Sequence, residues 1–448
     1  MTIPRGPMAD TLYNPCLPVG TWWAETLPPA PARLAAAGDI RGDVAVIGAG
    51  YAGLAAAMTL AEAGRRVIVL DAGRVGWGAS GRNGGICGPG GDKLAPALMA
   101  RRHGPGANSA WGETQAAAVA WVRAFHKAEG LDDHVQGDGE MVLAHGPASA
   151  RALSKVAETD PQATPVAPSG KDDIARHGGV VWRPAMGINP LAYARALAAA
   201  AERAGAVICE DSPVTALSQG AARHRLMTPE ATVTADTVLI TTNGFTPLGL
   251  DRRLDGLAVP VISNIAVTRP LSAREQACHP WLGAQPAADT RHMLAYFRLL
   301  PDGRLLYGAR GNLTGSARGM TPMRRQIEAR IARDLPGFAG AEITHFWQGP
   351  IAATTRLTPT VAWLDREARI AVALGWHGSG IAMASLGGRL AGQLIASNGE
   401  GAIPAPMAGL PRRLPFPRLS PAYVGLAIAG LRAADWIIGR DWPWQRRH

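Results

Sequence analysis

The sequence predicts a mixed α/β fold: a parallel core assembled from separated segments, with an antiparallel sheet inserted between them. Three observations predict it. Residues 43–71 read as a strand–turn–helix–strand unit, the middle of the chain is rich in alternating apolar segments, and a second strand–glycine turn–helix unit follows near residue 375. Two equal halves of a simple doubly wound domain would not leave so many alternating strands between two such units.

In the first unit, residues 44–47 (VAVI) are an apolar run suited to a buried parallel strand. Gly48, Gly50 and Gly53 then stand in G-x-G-x-x-G spacing. The first permits a tight turn, the second leaves room for a pyrophosphate against the backbone, and the third lets helix and strand pack closely. Leu54, Ala57 and Leu60 recur at helical spacing, so a helix starts at the turn with its positive end facing the phosphates. Gly64 ends that helix, residues 67–70 form the next strand, and Asp71 closes it. A carboxylate there accepts hydrogen bonds from an adenosine ribose and repels a 2′-phosphate. With all these parts in register, the unit predicts a Rossmann-type dinucleotide-binding domain.

The remaining elements follow in chain order. Residues 1–40 form a proline-rich arm (Pro15, Pro18, Pro28, Pro29, Pro31) that Trp22 and Trp23 anchor on the body. A glycine-dense loop occupies residues 73–91. The apolar pattern of residues 111–129 is helical, as is that of 191–204, where Asn189 is the N-cap, Pro190 the first helical residue and Gly205 the stop. Short strands are expected at 207–209, 214–217, 231–233 leading into 237–241, 262–268, 293–299 and 304–307, with Pro301-Asp302-Gly303 turning between the last two. Residues 323–335 read as an amphipathic helix, 370–374 as a strand, and 381–396 as a helix after the turn Gly375–Gly380. This order predicts a discontinuous cofactor domain (41–100, 180–250 and 350–400), a substrate domain (101–179 and 251–349) and a C-terminal extension (401–448).

Composition narrows the function. A hydrophobic content of 47% against 18% charged residues excludes a disordered chain. The net charge of +10 comes mostly from scattered arginines without a clustered basic, aromatic face, which argues against nucleic-acid binding. Cys16, Cys87, Cys209 and Cys278 are widely spaced and form no C-x-x-C pair, so neither a disulfide framework nor a metal site is expected. The N-terminal residues lack the apolar core of a secretory signal, and the longest uncharged stretch near the C-terminus, 422–431, is too short to span a bilayer. A cytoplasmic protein is the expectation. Residues 422–438 read either as a helix packed on the body or as one touching a membrane or partner.

Several constellations carry chemistry. Residues 75–85 (VGWGASGRNGG) have too few side chains to build an element and can approach a flat ring closely; a mobile surface loop is the alternative. Residues 235–244 form a buried strand ending in small polar residues, suited to the edge of a cofactor cleft. Gly378 and Gly380 precede an apolar helix, and the amides at its positive end would stabilise negative charge on a reduced flavin. His377 beside them is a base, a hydrogen-bond donor or a structural residue. Tyr296 and Arg298 share one face of a strand, where a phenol and a guanidinium can hold a carboxylate, unless that face is simply solvent-exposed. Trp347 and Gln348 are candidates for the same pocket, and Cys87 for the ring system.

Taken together, three stretches make the chain resemble the glycine oxidase/D-amino-acid oxidase superfamily of FAD-dependent oxidoreductases, in its γ-glutamylputrescine-oxidase-like branch. They are DVAVIGAGYAGLAAAMTLAEAGRRVIVLDAGRVGWGASGRNGG, YFRLLPDGRLLYGARG and GWHGSGIAMASLGGRLAGQLI, and the similarity runs over residues 20–400. The resemblance implies a glutathione-reductase-type FAD domain beneath an antiparallel substrate domain. It places Gly48, Gly50 and Gly53 at the pyrophosphate, Asp71 and Arg74 at the ribose, and the Val214 backbone at the adenine. Ala79, Ser80, Asn83, Gly84, Gly85 and Ile86 would border the flavin, with His377, Gly378, Gly380 and Ile381 on its pyrimidine side. Cys87 stands where relatives often have glutamine. Residues 343–374 contain no cysteine of the kind that tethers FAD in sarcosine oxidases, which implies non-covalent FAD. The expected activity is oxidation of an amine or amino acid by way of the flavin, with O2 or another carrier as electron acceptor. A nicotinamide-dependent dehydrogenase and a flavin-binding RNA-interaction protein are the alternatives.

Overall fold

A computed structural model describes residues 10–17, 19–220, 222–399 and 402–438. Pro18, the first nine residues of the expected arm and the last ten of the expected extension lie outside them.

The first unit folds as its spacing requires. Strand β1 (Gly38–Ile47) runs into helix α1 (Tyr51–Glu62) and returns as β2 (Val67–Leu70). Val44 and Val46 face one apolar cluster and Ala45 and Ile47 another, so β1 is covered on both sides, as a central parallel strand must be. Its parallel neighbours are β2 and β12 (Ala231–Ile240), followed by β9 (Val207–Cys209) beyond β2 and β19 (Ile370–Leu374) beyond β12. Strands β10 (Ala216–Ser218) and β11 (His224–Met227) extend β12 as an antiparallel meander, and β18 (Thr360–Asp365) pairs with β19. The two segments expected at 231–233 and 237–241 are thus one strand. Val214, expected to open a strand, lies just before β10.

The second sheet has the order β17-β13-β16-β15-β14-β5-β7-β6. It comprises β5 (Glu140–Leu143), β6 (Ala163–Val166), β7 (Gly179–Trp182), β13 (Val259–Pro270), β14 (Ala287–Asp289), β15 (Tyr296–Leu299), β16 (Arg304–Arg310) and β17 (Ile343–Ala353). Only its β14–β5 pair is parallel. Between the sheets lies a small antiparallel one of β3 (Ile86–Cys87), β8 (Met186–Ile188) and β4 (Val135–Gln136).

Helices divide between the layers. Helix α2 (Ala107–Ala128) and α3 (Pro190–Arg203) join α1 in the core of the parallel sheet through Val119, Val122, Tyr193 and Leu197. The segment expected as substrate domain, 101–179, therefore splits: α2 packs on the cofactor layer, whereas β5 and β6 belong to the antiparallel sheet. Asn189 caps α3 through Oδ1, which accepts the Leu191 and Ala192 N–H groups at 3.2 Å each. Helix α4 (Met320–Asp334) backs the antiparallel sheet with Ile327 and Ile331. Helix α5 (Gly380–Ala396) lies against α1, and α6 (Ser420–Ile438) packs beside the antiparallel sheet. No helix among the described residues is long and apolar enough to cross a membrane.

Candidate active site

The C-terminal ends of β1, β12 and β19 meet at one edge of the parallel sheet, where open α/β sheets bind ligands. The Thr241 hydroxyl donates to Ile47 O (2.9 Å) and Gly48 O (3.0 Å), tying the first glycine turn to the end of β12. Two residues on, Asn243 Oδ1 accepts the Gly375 N–H at 2.9 Å, which ties the second glycine turn to the same place. The strand-end segment 235–244 is therefore the hinge between the two turns.

Sterics fix the first turn. A Cβ on Gly53 would lie 1.8 Å from Gly48 O, and Gly48 has φ +106°. Asp71 braces this turn, its carboxylate accepting the Ala49 N–H at 2.6 Å and the Gly73 N–H at 2.9 Å. Burial pushes the Asp71 pKa up to about 6 despite these two donors. Each oxygen keeps a lone pair for a further donor. Arg74 is exposed on the loop beyond, and Val214 is buried in the core on the opposite side of the sheet from α1.

The glycine loop after Asp71 is ordered by its own polar atoms. Ser80 Oγ accepts the Tyr51 N–H (3.1 Å), and the Tyr51 hydroxyl donates to Ser80 O (2.6 Å). Asn83 donates to Ala79 O and Ser80 O and accepts the Gly85 N–H at 2.9 Å. Its side chain thus shapes the loop. Trp23, from the N-terminal arm, donates to Asn83 O (2.9 Å), and Trp347 of β17 donates to Arg82 O (2.7 Å). Sequence reasoning placed Trp23 as an anchor without its target. Tyr51 and Arg82 it passed over, because only long-range contacts reveal their work.

Strand β15 crosses this loop. A Cβ on Gly84 would lie 2.8 Å from the Tyr296 ring, and one on Gly85 would lie 2.8 Å from Arg298 Nη2. Tyr296 and Arg298 do share a face, and that face covers consecutive glycines. The Tyr296 hydroxyl pairs with Ser263 Oγ at 2.9 Å, and burial pushes its pKa up to about 12. Arg298 is 2% exposed, donates from Nη2 to Ile188 O (2.7 Å) and stands over the Trp23 ring, while its Nε and Nη1 have no protein acceptor. Burial pulls its pKa down to about 9, so it is still a cation at neutral pH. Gln348 points away from this face: next to Trp347 on β17, it donates instead to Gly315 O (2.7 Å). Cys87 is fully buried in the core, and burial pushes its thiol up to about 12.

The second glycine turn is open only toward its helix, since a Cβ on Gly375 would lie 2.4 Å from Thr354 Cγ2. Gly375 and Gly378 have φ of +83° and +99°, and His377 between them has φ +50°, a left-handed conformation that a non-glycine residue adopts at a cost. His377 is 5% exposed; its Nε2 lies 3.2 Å from the Thr354 hydroxyl, and its N–H donates to Ala352 O. Burial, reinforced by Lys93, pulls its pKa down to about 4, so the ring is neutral at pH 7. A Cβ on Gly378 would meet nothing within 4 Å, and one on Gly380 nothing closer than Trp376 Cβ at 3.9 Å. Ile381 is buried in the first turn of α5.

The helix pair sets the reach of the site. A Cβ on Gly388 would lie 2.1 Å from Ala52 O, and Gly392 lies similarly against Ala56 and Thr59, so α1 and α5 run parallel in backbone contact. Gly388 lies eight residues into α5 and Ala52 one residue into α1, which sets the start of α5 about 10 Å beyond that of α1. Two positive helix ends at this offset suit an elongated anion with its phosphates at α1 and a ring at α5. The residues fit FAD: a cramped phosphate turn, a bracing carboxylate, a glycine loop under a tyrosine, and an open helix start.

The family described as FAD dependent oxidoreductase (DAO) matches residues 43–394, and the chain belongs to this family of flavoproteins. The probable oxidoreductase OrdL of Rhizobium meliloti (strain 1021) is 29% identical over 420 residues, covering 86% of this chain and 90% of that relative. The gamma-glutamylputrescine oxidoreductase of Escherichia coli (strain K12) is 27% identical over 407 residues, covering 86% and 92%. Among solved structures, glycine oxidase from Geobacillus kaustophilus shares the fold with a TM-score of 0.67 at 23% identity, over 84% of this chain and all of that one.

Proposed function

We propose that the chain oxidises the C–N bond of an amine or amino acid to an imine, by hydride transfer from the α-carbon to flavin N5, and that the imine then hydrolyses in water. Bound FAD supplies the two-electron acceptor. Gly48, Gly50 and Gly53 hold its pyrophosphate, Asp71 and Arg74 its ribose, and Val214 its adenine. Ala79, Ser80, Asn83, Gly84, Gly85 and Ile86, with the turn at His377, Gly378, Gly380 and Ile381, hold the flavin, without a covalent bond. The single observation that carries the reading is the meeting of both glycine turns and the Tyr296–Arg298 face at one sheet edge. The similarity to the gamma-glutamylputrescine oxidoreductase supports an amine substrate.

The chain's own residues act by position and charge. Tyr296, held protonated by burial and paired with Ser263, is a hydrogen-bond donor over Gly84. Arg298 has two uncommitted nitrogens and supplies positive charge for a carboxylate. His377, neutral at pH 7, orients the turn and leaves the α5 amides to stabilise negative charge, so a substrate amine that arrives deprotonated needs no strong base. Reoxidation passes to O2 or another acceptor.

The test is an anaerobic screen in which amines and amino acids are mixed with FAD-loaded protein. Bleaching of the visible flavin band by at least one such compound is expected. Protein that binds no flavin on reconstitution, or flavin reduced by NADH and by none of the amines, would end the proposal.

A further inference from the structure

Away from the cleft, a cavity of about 540 Å³ opens between α4, the segment joining β14 to β15, the end of β16, and α6. Five arginines line it: Arg291, Arg310, Arg330, Arg333 and Arg432. Two already have carboxylates, Arg291 pairing with Asp289 and Asp334, and Arg333 with Asp334. Among the described residues Arg310, Arg330 and Arg432 have none within ion-pair distance. Asp435, the nearest acid on α6, is spent on the His292 and Met293 N–H groups and the His292 ring.

Arg432 is exposed, whereas Arg310 and Arg330 are partly buried, and Arg330 Nη2 donates to Met293 O at 3.2 Å. Arg310 Nε and Nη2 and Arg330 Nε are shielded from solvent and have no acceptor in the protein. Burial and the neighbouring Arg432 pull the Arg310 pKa down to about 10. Buried donors on like charges facing one another are costly unless an anion completes them. We propose that this cavity is a binding site for a phosphate-class oxyanion, held by Arg310, Arg330 and Arg432, and distinct from the FAD cleft. A guanidinium fork matches two phosphate oxygens, and three of them exceed what a single surface pair offers.

The oxyanion has two possible sources, a free phosphorylated metabolite or a phospholipid headgroup. Helix α6 brings the second into consideration. Of its two charged side chains Asp435 is half-buried and Arg432, at the cavity, is exposed, while Leu426 on the same helix is 75% exposed.

Both sources are tested on FAD-loaded protein, so that the pyrophosphate turn is filled. Melting temperature is followed against inorganic phosphate, with chloride at equal ionic strength as control. Cosedimentation is measured with phosphatidylcholine vesicles with and without phosphatidylglycerol. Arg310→Met removes the partly buried cation, and Arg432→Gln removes an exposed one that folding does not need. A saturable phosphate response, weakened about tenfold in each variant, supports the free-anion source. Binding to phosphatidylglycerol vesicles alone, lost in each variant, supports the headgroup. If phosphate acts no more than chloride does and vesicle binding is absent or equal in Arg432→Gln, the proposal falls.

Discussion

At the turn that opens α1, a Cβ on Gly53 would sit 1.8 Å from Gly48 O; at the turn that opens α5, a Cβ on Gly380 would meet nothing closer than 3.9 Å. Both turns precede a helix and both are rich in glycine, yet the protein's own atoms crowd the glycine inside the helix start only at the first. There Gly53 is a packing requirement of the fold. At the second, Gly375 and Gly378 are required by positive φ, and Gly380 is required by nothing in the chain. A glycine the protein does not need for itself points to a ligand that does.

The largest effect should come from closing the first turn. Gly53→Ala drives a methyl group into a backbone carbonyl that Thr241 already holds, and neither can move without parting β1 from β12. Overpacking of this kind costs about 3 kcal/mol or more. Urea unfolding and flavin content after purification should both show it, as a lower midpoint and loss of bound FAD. A variant with the wild-type midpoint and full flavin would show that the turn relaxes and would remove the contrast.

His377 should give the intermediate effect, through pH. Its folded pKa of about 4 lies below the ordinary value of 6.5. Above pH 6.5 the ring is neutral in both states and contributes nothing. As pH falls the unfolded chain takes the proton first, so stability drops between pH 6.5 and 4 and levels off below. The depressed pKa corresponds to about 3 kcal/mol over that range. His377→Asn tolerates the left-handed backbone and removes the titration. Its unfolding free energy should fall less than that of the wild type between pH 7 and pH 4. Parallel curves for the two proteins would mean that His377 protonates freely in the folded state and that its burial is not maintained.

What the sequence made legible follows the same division. The β1–α1–β2 unit was readable because strand period, glycine spacing, helix period and closing acid are all local. The shared face of Tyr296 and Arg298 was readable from alternation, but its target was not, since Gly84 and Gly85 reach it only through the packing of one sheet on another. Helix α2 showed its apolar face in its spacing and gave no sign of what covers that face, so its place in the cofactor layer appeared only in three dimensions. Gln348 was misassigned to the pocket because strand alternation, applied to Trp347, already turns its neighbour away. The arginine cavity draws on residues from 291 to 432, each unremarkable in its own segment.

The smallest stability effect, and the sharpest use of the comparison, belongs to Gly380→Ala. The position is helical, its added Cβ meets open space, and alanine is the better helix former by about 0.5–1 kcal/mol. The flavin-free protein should therefore melt at the same temperature or slightly higher. If the flavin's pyrimidine edge lies against this turn, the same methyl group occupies ligand space, and FAD affinity should fall about tenfold in a fluorescence-quenching titration. Unchanged stability with weakened FAD separates the two turns by cause, since Gly53→Ala should lose both together. Unchanged stability with unchanged affinity would place the ring away from Gly380, and the open space at the start of α5 would then belong to the substrate.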